Sequence, residues 1–207
     1  MSEMTQARMQ AILDAEARAV SAIPYSEAYP RAIATIAALR SSGGKLVTSG
    51  MGKAGQIALN IATTFSSTGT PAVFLHPSEA QHGDLGVLQP HDVLLLLSNS
   101  GKTREILELL DLASALNPDV PTIVITGKPD SPLAKRAGIA LSTAQAAEVC
   151  PLGLTPTTST TMMTVIGDIL VVGVMEAIGF TAADYALRHH GGYLGSHSRE
   201  LAADAEL

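Results

Sequence analysis

Apolar residues repeat along the chain with two different spacings, and their alternation predicts an α/β fold. Ala, Ile and Met at helical spacing predict N-terminal helices over 5–23 and 26–41, with Pro24 and Pro30 as breaks. Short apolar runs then predict five strands, at 45–49, 72–75, 92–98, 122–126 and 139–141. The run within 92–98 is uninterrupted, which is typical of a strand buried on both faces.

Further helices are predicted between and after these strands, at 53–67, 104–116, 131–137, 159–179 and 181–188, followed by a tail. Strands that alternate with helices indicate a parallel sheet covered on both faces. No linker, low-complexity segment or strict repeat interrupts the 207 residues. We therefore expect one domain, a three-layer α/β/α sandwich with a five-stranded parallel sheet of flavodoxin or Rossmann type. In it, helices over 5–41 precede a motif-bearing core over 45–195.

Charge and composition narrow the classes of partner. The formal net charge is −6 and no run of Lys or Arg occurs, which argues against nucleic acid or an anionic membrane as partner. The N-terminus shows no signal-peptide pattern. The apolar run 162–178 carries Asp168 and Glu176, so we expect a core or interface helix there rather than a membrane span. Cys150 is the only cysteine, which excludes an internal disulfide and favours a reducing cytoplasm.

Two strand–loop–helix units carry candidate phosphate chemistry. The loop 98–103 (Ser-Asn-Ser-Gly-Lys-Thr) offers three hydroxyls and backbone N–H groups where the next helix begins, whereas a plain capped turn needs one hydroxyl. Glu105 lies in the first turn of that helix, where the dipole alone favours an acidic residue, so the pattern itself assigns it a structural role. Lys53 begins the earlier helix and opposes its dipole, so it either points to solvent or awaits a negative charge.

The segment 50–55 (Gly-Met-Gly-Lys-Ala-Gly) also fits the dinucleotide pattern G-x-G-x-x-G. A dinucleotide site requires an acidic residue at the end of the second strand, whereas here that strand ends at His76 and Glu79 lies further along. Little chain remains for a substrate domain. An NAD-dependent dehydrogenase is therefore a distant alternative.

Three further clusters have polar chemistry. Glu148 precedes a hydroxyl-rich run over 155–161 at the start of the long helix, which suits either an anionic ligand beside an acid or base, or an over-capped helix. Two His and two carboxylates fall within 76–84, but no second cluster supports a metal site, so a polar turn is the simpler interpretation. His189 and His190 precede Gly191-Gly192, where the backbone can approach a ligand closely.

Seven ordered motifs between residues 45 and 195 together resemble the sugar isomerase (SIS) domain, most closely the catalytic domain of bacterial arabinose-5-phosphate isomerases. The motifs are Gly-Met-Gly-Lys at 50–53, Phe-Ser-Ser-Thr-Gly-Thr-Pro at 65–71, His-Gly-Asp-Leu-Gly at 82–86, Ser-Asn-Ser-Gly at 98–101, Ile-Thr-Gly at 125–127, Cys-Pro-Leu-Gly-Leu with the hydroxyl run from 150, and Gly-Phe-Thr-Ala at 179–182. Seven motifs in order are far more specific than any one of them.

The resemblance implies interconversion of ribulose 5-phosphate and arabinose 5-phosphate through an enediol, a step toward the Kdo sugar of bacterial surface polysaccharides. It implies four catalytic residues, which are Lys53, Glu105, Glu148 and His189. Glu105 thereby loses its purely structural interpretation. The resemblance places the substrate phosphate at Ser98, Ser100 and Thr103, and the sugar at Gly69, Thr70 and His82. The resemblance implies that the reaction requires no cofactor. It also associates His76 with an inhibitory zinc rather than a catalytic one.

The resemblance also implies a homo-oligomer, a dimer or tetramer, with sites that often span subunits. The helices 5–23 and 159–179 are candidate interface elements. The sequence departs from the family at Lys102, where Glu is usual, at Ala54 for Ser and at His190 for Pro. Relatives continue into a pair of CBS domains, whereas this sequence ends at Leu207, so we expect no regulation through such domains.

Three questions stay open at the level of sequence. The base that moves the carbon-bound proton is Glu148, His189 or Glu105. The substrate is either arabinose 5-phosphate or another pentose or hexose phosphate. The chain is either an enzyme or a non-catalytic sugar-phosphate sensor, and loss of Lys53, Glu148 or His189 would mark a sensor, but all three are present.

Overall fold

The computed structural model of the chain describes residues 4–204. Within them, five strands form one fully parallel sheet with the order β2-β1-β3-β4-β5. The strands are β1 (Leu46–Gly50), β2 (Ala72–Phe74), β3 (Val93–Leu97), β4 (Thr122–Thr126) and β5 (Ile139–Ser142). The five-stranded parallel sheet predicted from the hydrophobic pattern is confirmed.

Ten helices flank and follow these strands in the described residues. They are α1 (Gln6–Ser21), α2 (Ala28–Ala37), α3 (Leu39–Ser42), α4 (Gly52–Ser67), α5 (Pro77–Ala80), α6 (Arg104–Leu116), α7 (Pro132–Arg136), α8 (Thr158–Ile178), α9 (Ala182–Ala186) and α10 (Gly192–Asp204). Two predictions were wrong in detail. The predicted helix 26–41 is divided into α2 and α3, and the predicted C-terminal tail contains α10. A short 3₁₀ turn, Asp84–Val87, follows α5.

The two faces of the sheet bury separate hydrophobic cores, which confirms the three-layer architecture. Strand β3 lies at the centre, and alternate residues point to opposite faces as strand geometry requires. Leu95 and Leu97 join the core beneath α2, α4 and α8. Leu94 and Leu96 join the core beneath α5, α6 and α7. All four leucines are completely buried.

Helix α8 is the longest element and packs across α2 and α4. Gly167 and Gly173 let it approach these helices closely, because a Cβ at these glycines would meet Ile61 or Ile33. The helix ends at Gly179, whose φ of 62° is the left-handed conformation that commonly stops a helix. By length and composition alone α8 could cross a membrane, but nine of its residues are buried inside this fold. Its other face leaves Ile169 and Val172 exposed.

The glycines of the G-x-G-x-x-G pattern serve the packing of α4 on β1. A Cβ at Gly55 would lie 2.5 Å from the carbonyl oxygen of Gly50. Only a residue without a side chain allows the helix to begin so close to the end of the strand. The pattern therefore has a structural explanation that requires no dinucleotide.

We expect Gly55→Ala to destabilise the protein by about 1–3 kcal/mol, because a backbone carbonyl cannot move away as a flexible side chain can. This cost exceeds the roughly 1 kcal/mol that alanine gains over glycine in helix propensity. Urea unfolding measures the difference. Gly86→Ala is the matched control, because a Cβ there meets no atom within 4 Å. Equal stability of the two variants would contradict the packing role.

Candidate functional site

The carboxyl ends of parallel strands lie at one edge of the sheet, and most of the predicted site residues follow those ends. Lys53 follows β1, the loop 98–103 follows β3, and Glu148 follows β5. Glu105 lies in the first turn of α6, directly after the same loop. Open α/β sheets bind ligands in the crevice outside this edge. The topology therefore gathers these residues at one end of the molecule.

The loop 98–103 is a tight turn in which Ser98 is buried. The Ser98 hydroxyl lies 2.9 Å from that of Thr103 and accepts the N–H of Gly101 at 3.1 Å. The Ser100 hydroxyl accepts the N–H of Lys102 at 3.2 Å, and Ser100 is exposed. Thr103 precedes α6 without capping it through its side chain. The first N–H groups of α6 thus lack a side-chain cap from Thr103 and follow a loop with three hydroxyls, a pattern that suits a phosphate.

Lys53 is exposed in the first turn of α4. Met51, the residue before this helix, makes no side-chain hydrogen bond that caps it. The four ion pairs found in residues 4–204 do not include Lys53. A cation at the positive end of a helix dipole, with no carboxylate beside it there, is placed to meet an anion.

Glu148 caps α8 with one carboxylate oxygen. Its Oε2 accepts the N–H of Thr157 at 2.7 Å, the Thr157 hydroxyl at 3.0 Å and the N–H of Ser159 at 3.3 Å. Burial raises the pKa of Glu148, but the hydrogen bonds from Ser159 and Thr157 together outweigh it and lower the pKa below its ordinary value. Its Oε1 accepts no hydrogen bond from the described residues. The carboxylate is thus ionised and anchored, with one oxygen open to a ligand.

Several hydroxyls of the run around Thr157 form hydrogen bonds with other groups of the protein, so no anionic ligand is needed to explain the run. Thr160 and Thr161 donate their hydroxyls to the carbonyl oxygen of Thr157. Thr158 donates its hydroxyl to Glu16 of α1. The helix α8 is thus capped by Glu148 rather than by the hydroxyl run, whose Thr157 helps to hold that carboxylate.

Two adjoining cavities at the carboxyl edge lie between the loop 98–103 and the first turn of α8. One, of about 320 Å³, is lined by Ser100, Lys102, Lys128, Pro129, Asp130, Ser131 and Gln145. The other, of about 100 Å³, shares Lys128 and Gln145 with it and extends to Ser159, a hydrogen-bond partner of Glu148. Sequence reasoning did not assign Lys128 and Gln145 to the site. Their positions directly after β4 and β5 were the signal that could have found them.

Three of the predicted residues, Gly69, Thr70 and His189, lie at the opposite edge of the sheet. Gly69 and Thr70 precede β2, so they belong to the amino ends of the strands. Gly69 has a φ of 94° and faces Phe180, which follows α8, and a Cβ there would lie 2.7 Å from its ring. His189 follows α9, next to Arg188, which lines the same cavity as Gly69.

A single chain therefore does not bring all four predicted catalytic residues together. Glu148 is bonded to the first turn of α8, and His189 lies beyond its last turn. At 1.5 Å per residue the 21 residues of α8 span about 30 Å. Lys53, Glu105 and Glu148 follow the carboxyl ends of strands, whereas His189, Gly69 and Thr70 lie toward the opposite edge.

His189 is held in one orientation at its own edge. Its ring stacks on Tyr185 with centroids 3.7 Å apart and planes within 6°. Its Nδ1 lies 3.1 Å from the Tyr185 carbonyl oxygen, which can only accept a hydrogen bond. In a neutral ring this contact requires the hydrogen on Nδ1, and Nε2 has no hydrogen-bond partner among residues 4–204.

His76 and His82 follow β2 at the carboxyl edge. His76 caps the short helix α5, because its Nδ1 accepts the N–H of Ser78 at 3.3 Å. His82 is exposed. No group of three or more His, Cys, Asp or Glu residues placed to hold a metal ion occurs in residues 4–204. The described part of one chain thus supplies His76 alone, which does not make a tetrahedral zinc site.

Comparison with known proteins identifies the family. Residues 38–173, more than half of the chain, match the SIS domain. The chain belongs to the SIS domain family. It is 53% identical to arabinose 5-phosphate isomerase KdsD of Shigella flexneri over 152 residues, which are 73% of this chain and 46% of that relative. KdsD of Pseudomonas aeruginosa is 50% identical over 76% of this chain and 48% of the relative. The chain thus spans about half the length of the curated relatives it matches.

Solved SIS structures share the fold at high similarity. A protein of Bacteroides fragilis described as a candidate phosphosugar isomerase involved in capsule formation has a TM-score of 0.88 and 64% identity, over 89% of this chain and 97% of that one. A protein of Escherichia coli CFT073, solved in complex with arabinose 5-phosphate, has a TM-score of 0.79 and 36% identity, over 90% of this chain and 100% of that one. These similarities confirm the SIS resemblance and the fold class predicted from the sequence.

We expect Thr157→Val to raise the pKa of Glu148, because it removes the hydroxyl donor and leaves the two backbone N–H donors. A lowered carboxyl pKa stabilises the fold above the ordinary pKa of the group, and this contribution is lost as the pH falls through the lowered value. The variant should thus be less stable than the wild type at pH 7, by about 1 kcal/mol, with a smaller difference in acid.

Carbon-13 NMR titration of the Glu148 carboxyl measures this pKa, and urea unfolding measures the stability. Thr157→Ser keeps the hydroxyl and is the control. An unchanged Glu148 pKa in Thr157→Val would show that the hydroxyl does not stabilise the charged form.

Proposed function

We propose that the protein is a sugar-phosphate aldose–ketose isomerase that interconverts D-ribulose 5-phosphate and D-arabinose 5-phosphate. The observation that carries the proposal is the carboxylate of Glu148, anchored through Oε2 to Ser159, which lines the cavity that adjoins the one at the loop 98–103. The similarity to KdsD enzymes and to a structure solved with arabinose 5-phosphate supports this substrate class.

The phosphate of the substrate binds at Ser98, Ser100 and Thr103 and at the first N–H groups of α6. Hydroxyls and N–H groups at the start of a helix favour a phosphate through hydrogen bonds and the helix dipole. The sugar then extends toward Glu148. No cofactor takes part in this scheme, and an inhibitory zinc at His76 would draw its other ligands from outside the described residues.

The reaction moves one carbon-bound proton. Glu148 Oε1 removes a proton from C1 of the ketose and returns a proton to C2, while a hydroxyl proton passes from O1 to O2. The ammonium of Lys53 stabilises the enediolate oxygen that carries negative charge between these steps. Glu105 orients Lys53 or the sugar hydroxyls. The lowered pKa of Glu148 keeps it ionised and ready to accept the proton.

A second copy of the chain completes the site. His189 lies about one helix length from Glu148, so its free Nε2 reaches a substrate only from another subunit, where it shuttles the proton between O1 and O2. Gly69 and Thr70 lie at the same edge as His189, so the second subunit would bring them to the site together with His189. The exposed apolar residues of α8, together with α1, provide the contact surface for such a dimer or tetramer.

We further propose that the arabinose 5-phosphate formed supplies Kdo-containing surface polysaccharides, and that the protein acts in the cytoplasm without nucleic acid or membrane as partner. The rival enzyme is an isomerase of another pentose or hexose phosphate. The rival of another class is a sugar-phosphate sensor that binds and does not exchange protons.

NMR of ribulose 5-phosphate with the purified protein in deuterated water tests the proposal. We expect a new aldose with deuterium at C2, because the proton returned to carbon comes from a base that exchanges with solvent. Glu148→Gln should lower kcat by about 10²–10⁴-fold, the usual contribution of a general base. Glu79→Gln, an exposed carboxylate outside the cavities, is the control. Binding without any exchange would favour the sensor, and turnover of hexose phosphates alone would favour the other isomerase.

Co-expression of Glu148→Gln and His189→Ala chains tests the shared site. Each variant alone should be nearly inactive. In mixed dimers, one site carries both changes and the other carries neither, so about a quarter of the wild-type activity should return after random pairing. Affinity tags on each chain verify that mixed oligomers have formed. Mixed oligomers without recovered activity would show that His189 does not act across subunits.

A further inference from the structure

The cavity beside the loop 98–103 contains two lysines that the proposed reaction does not use. Lys102 and Lys128 both line it. Within residues 4–204, neither ammonium lies within 4 Å of a carboxylate oxygen, since neither takes part in the ion pairs found there. Lys128 donates one hydrogen bond, to the neutral Gln145 Oε1 at 2.8 Å. Its charge is therefore not neutralised, and two of its three donors remain.

Direct hydrogen bonds fix the two lysine-bearing loops against each other. The N–H of Gly127 donates to the carbonyl oxygen of Asn99 at 3.1 Å, and the N–H of Leu133 donates to that of Gly101 at 3.2 Å. Gly101 also packs directly against Ser131, which leaves no room for a side chain. The cavity between the loops is therefore formed before any ligand binds, so little ordering is needed on binding.

The lining of this cavity favours an anion. Its charged groups are the two lysines and Asp130, so one positive charge is in excess, in a protein whose net charge is −6. Ser100, Ser131 and Gln145 add neutral polar groups. The volume of about 320 Å³ lies at the lower end of the range of small-molecule pockets, roughly 300–1,000 Å³. Ser100 also belongs to the phosphate loop, so an anion in the cavity lies next to a phosphate in that loop.

We propose that Lys102 and Lys128 form a second anion subsite, which takes the second phosphate group of a small diphosphorylated ligand such as a sugar bisphosphate. The first phosphate of this ligand occupies the loop 98–103, so the inference rests on the proposed function of that loop. A ligand with two phosphate groups then binds more tightly than the monophosphate substrate and competes with it.

Isothermal titration of the wild-type protein with pyrophosphate and with orthophosphate tests the subsite. Pyrophosphate places two phosphate groups side by side and should bind about tenfold more tightly, the gain expected from one additional charge-assisted contact. Lys128→Gln should remove this difference and leave the affinity for orthophosphate unchanged. Lys135→Gln removes the same charge from an exposed position on α7, outside the cavity, and is the control.

Asp130→Asn provides a test in the opposite direction. It removes the only negative charge of the lining and should tighten pyrophosphate binding several-fold, without loss of any lysine contact. All titrations are made at the same low ionic strength, because salt screens exposed charges.

The outcomes separate this inference from the proposed function. Tighter binding of pyrophosphate that depends on Lys128 supports the subsite, even if ribulose 5-phosphate is not isomerised, and absent isomerisation counts against the enzyme proposal alone. Equal affinities for the two anions, or an equal loss in Lys135→Gln, would overturn the subsite and leave the isomerase proposal standing.

Discussion

Burial of both faces of β3 is the constraint on which the rest of the structure depends. A strand of four consecutive leucines can be hidden from water only if helices cover the sheet on each side, and a parallel arrangement with crossover helices provides that cover. Each crossover then returns the chain to the same end of the sheet. The loops that follow β1, β3, β4 and β5 therefore meet at one edge, and the candidate chemistry lies there as a consequence of how the core is buried.

Helix starts at that edge are used in two different ways. The first N–H groups of α8 are satisfied by the protein's own carboxylate, Glu148. Helices α4 and α6 begin without a side-chain cap. Helix α4 has Lys53 in its first turn, and the hydroxyls of 98–103 precede α6. One helix end thus orients a charged group of the protein, and two others remain available to an external anion. Under the proposed function, two hydroxyl-rich segments would thus have different roles at this edge, one beside the protein's own carboxylate and one beside the substrate phosphate.

The sequence was sufficient where a local pattern decides the structure. The leucines of β3 and the period of α4, α6 and α8 predict their elements because burial produces these patterns directly. Helix α10 was missed because Gly192, Gly195 and the polar residues between them and Asp204 give no apolar stripe. The role of Lys128 depends on which loops meet in space, and the separation of His189 from Glu148 depends on the direction of α8. Neither is encoded in the order of motifs.

Helix α8 has a consequence for how a shared assembly would respond to change. Its first turn holds Glu148, and the chain beyond its last turn carries His189. In an oligomer of the proposed kind, the same rigid rod thus sets the base of one active site and the histidine of a neighbouring one. A small displacement of α8 along its axis would therefore change the positions of Glu148 and His189 together, and so alter both sites. The subunits would then be mechanically coupled through the core of each chain as well as through the surface between them.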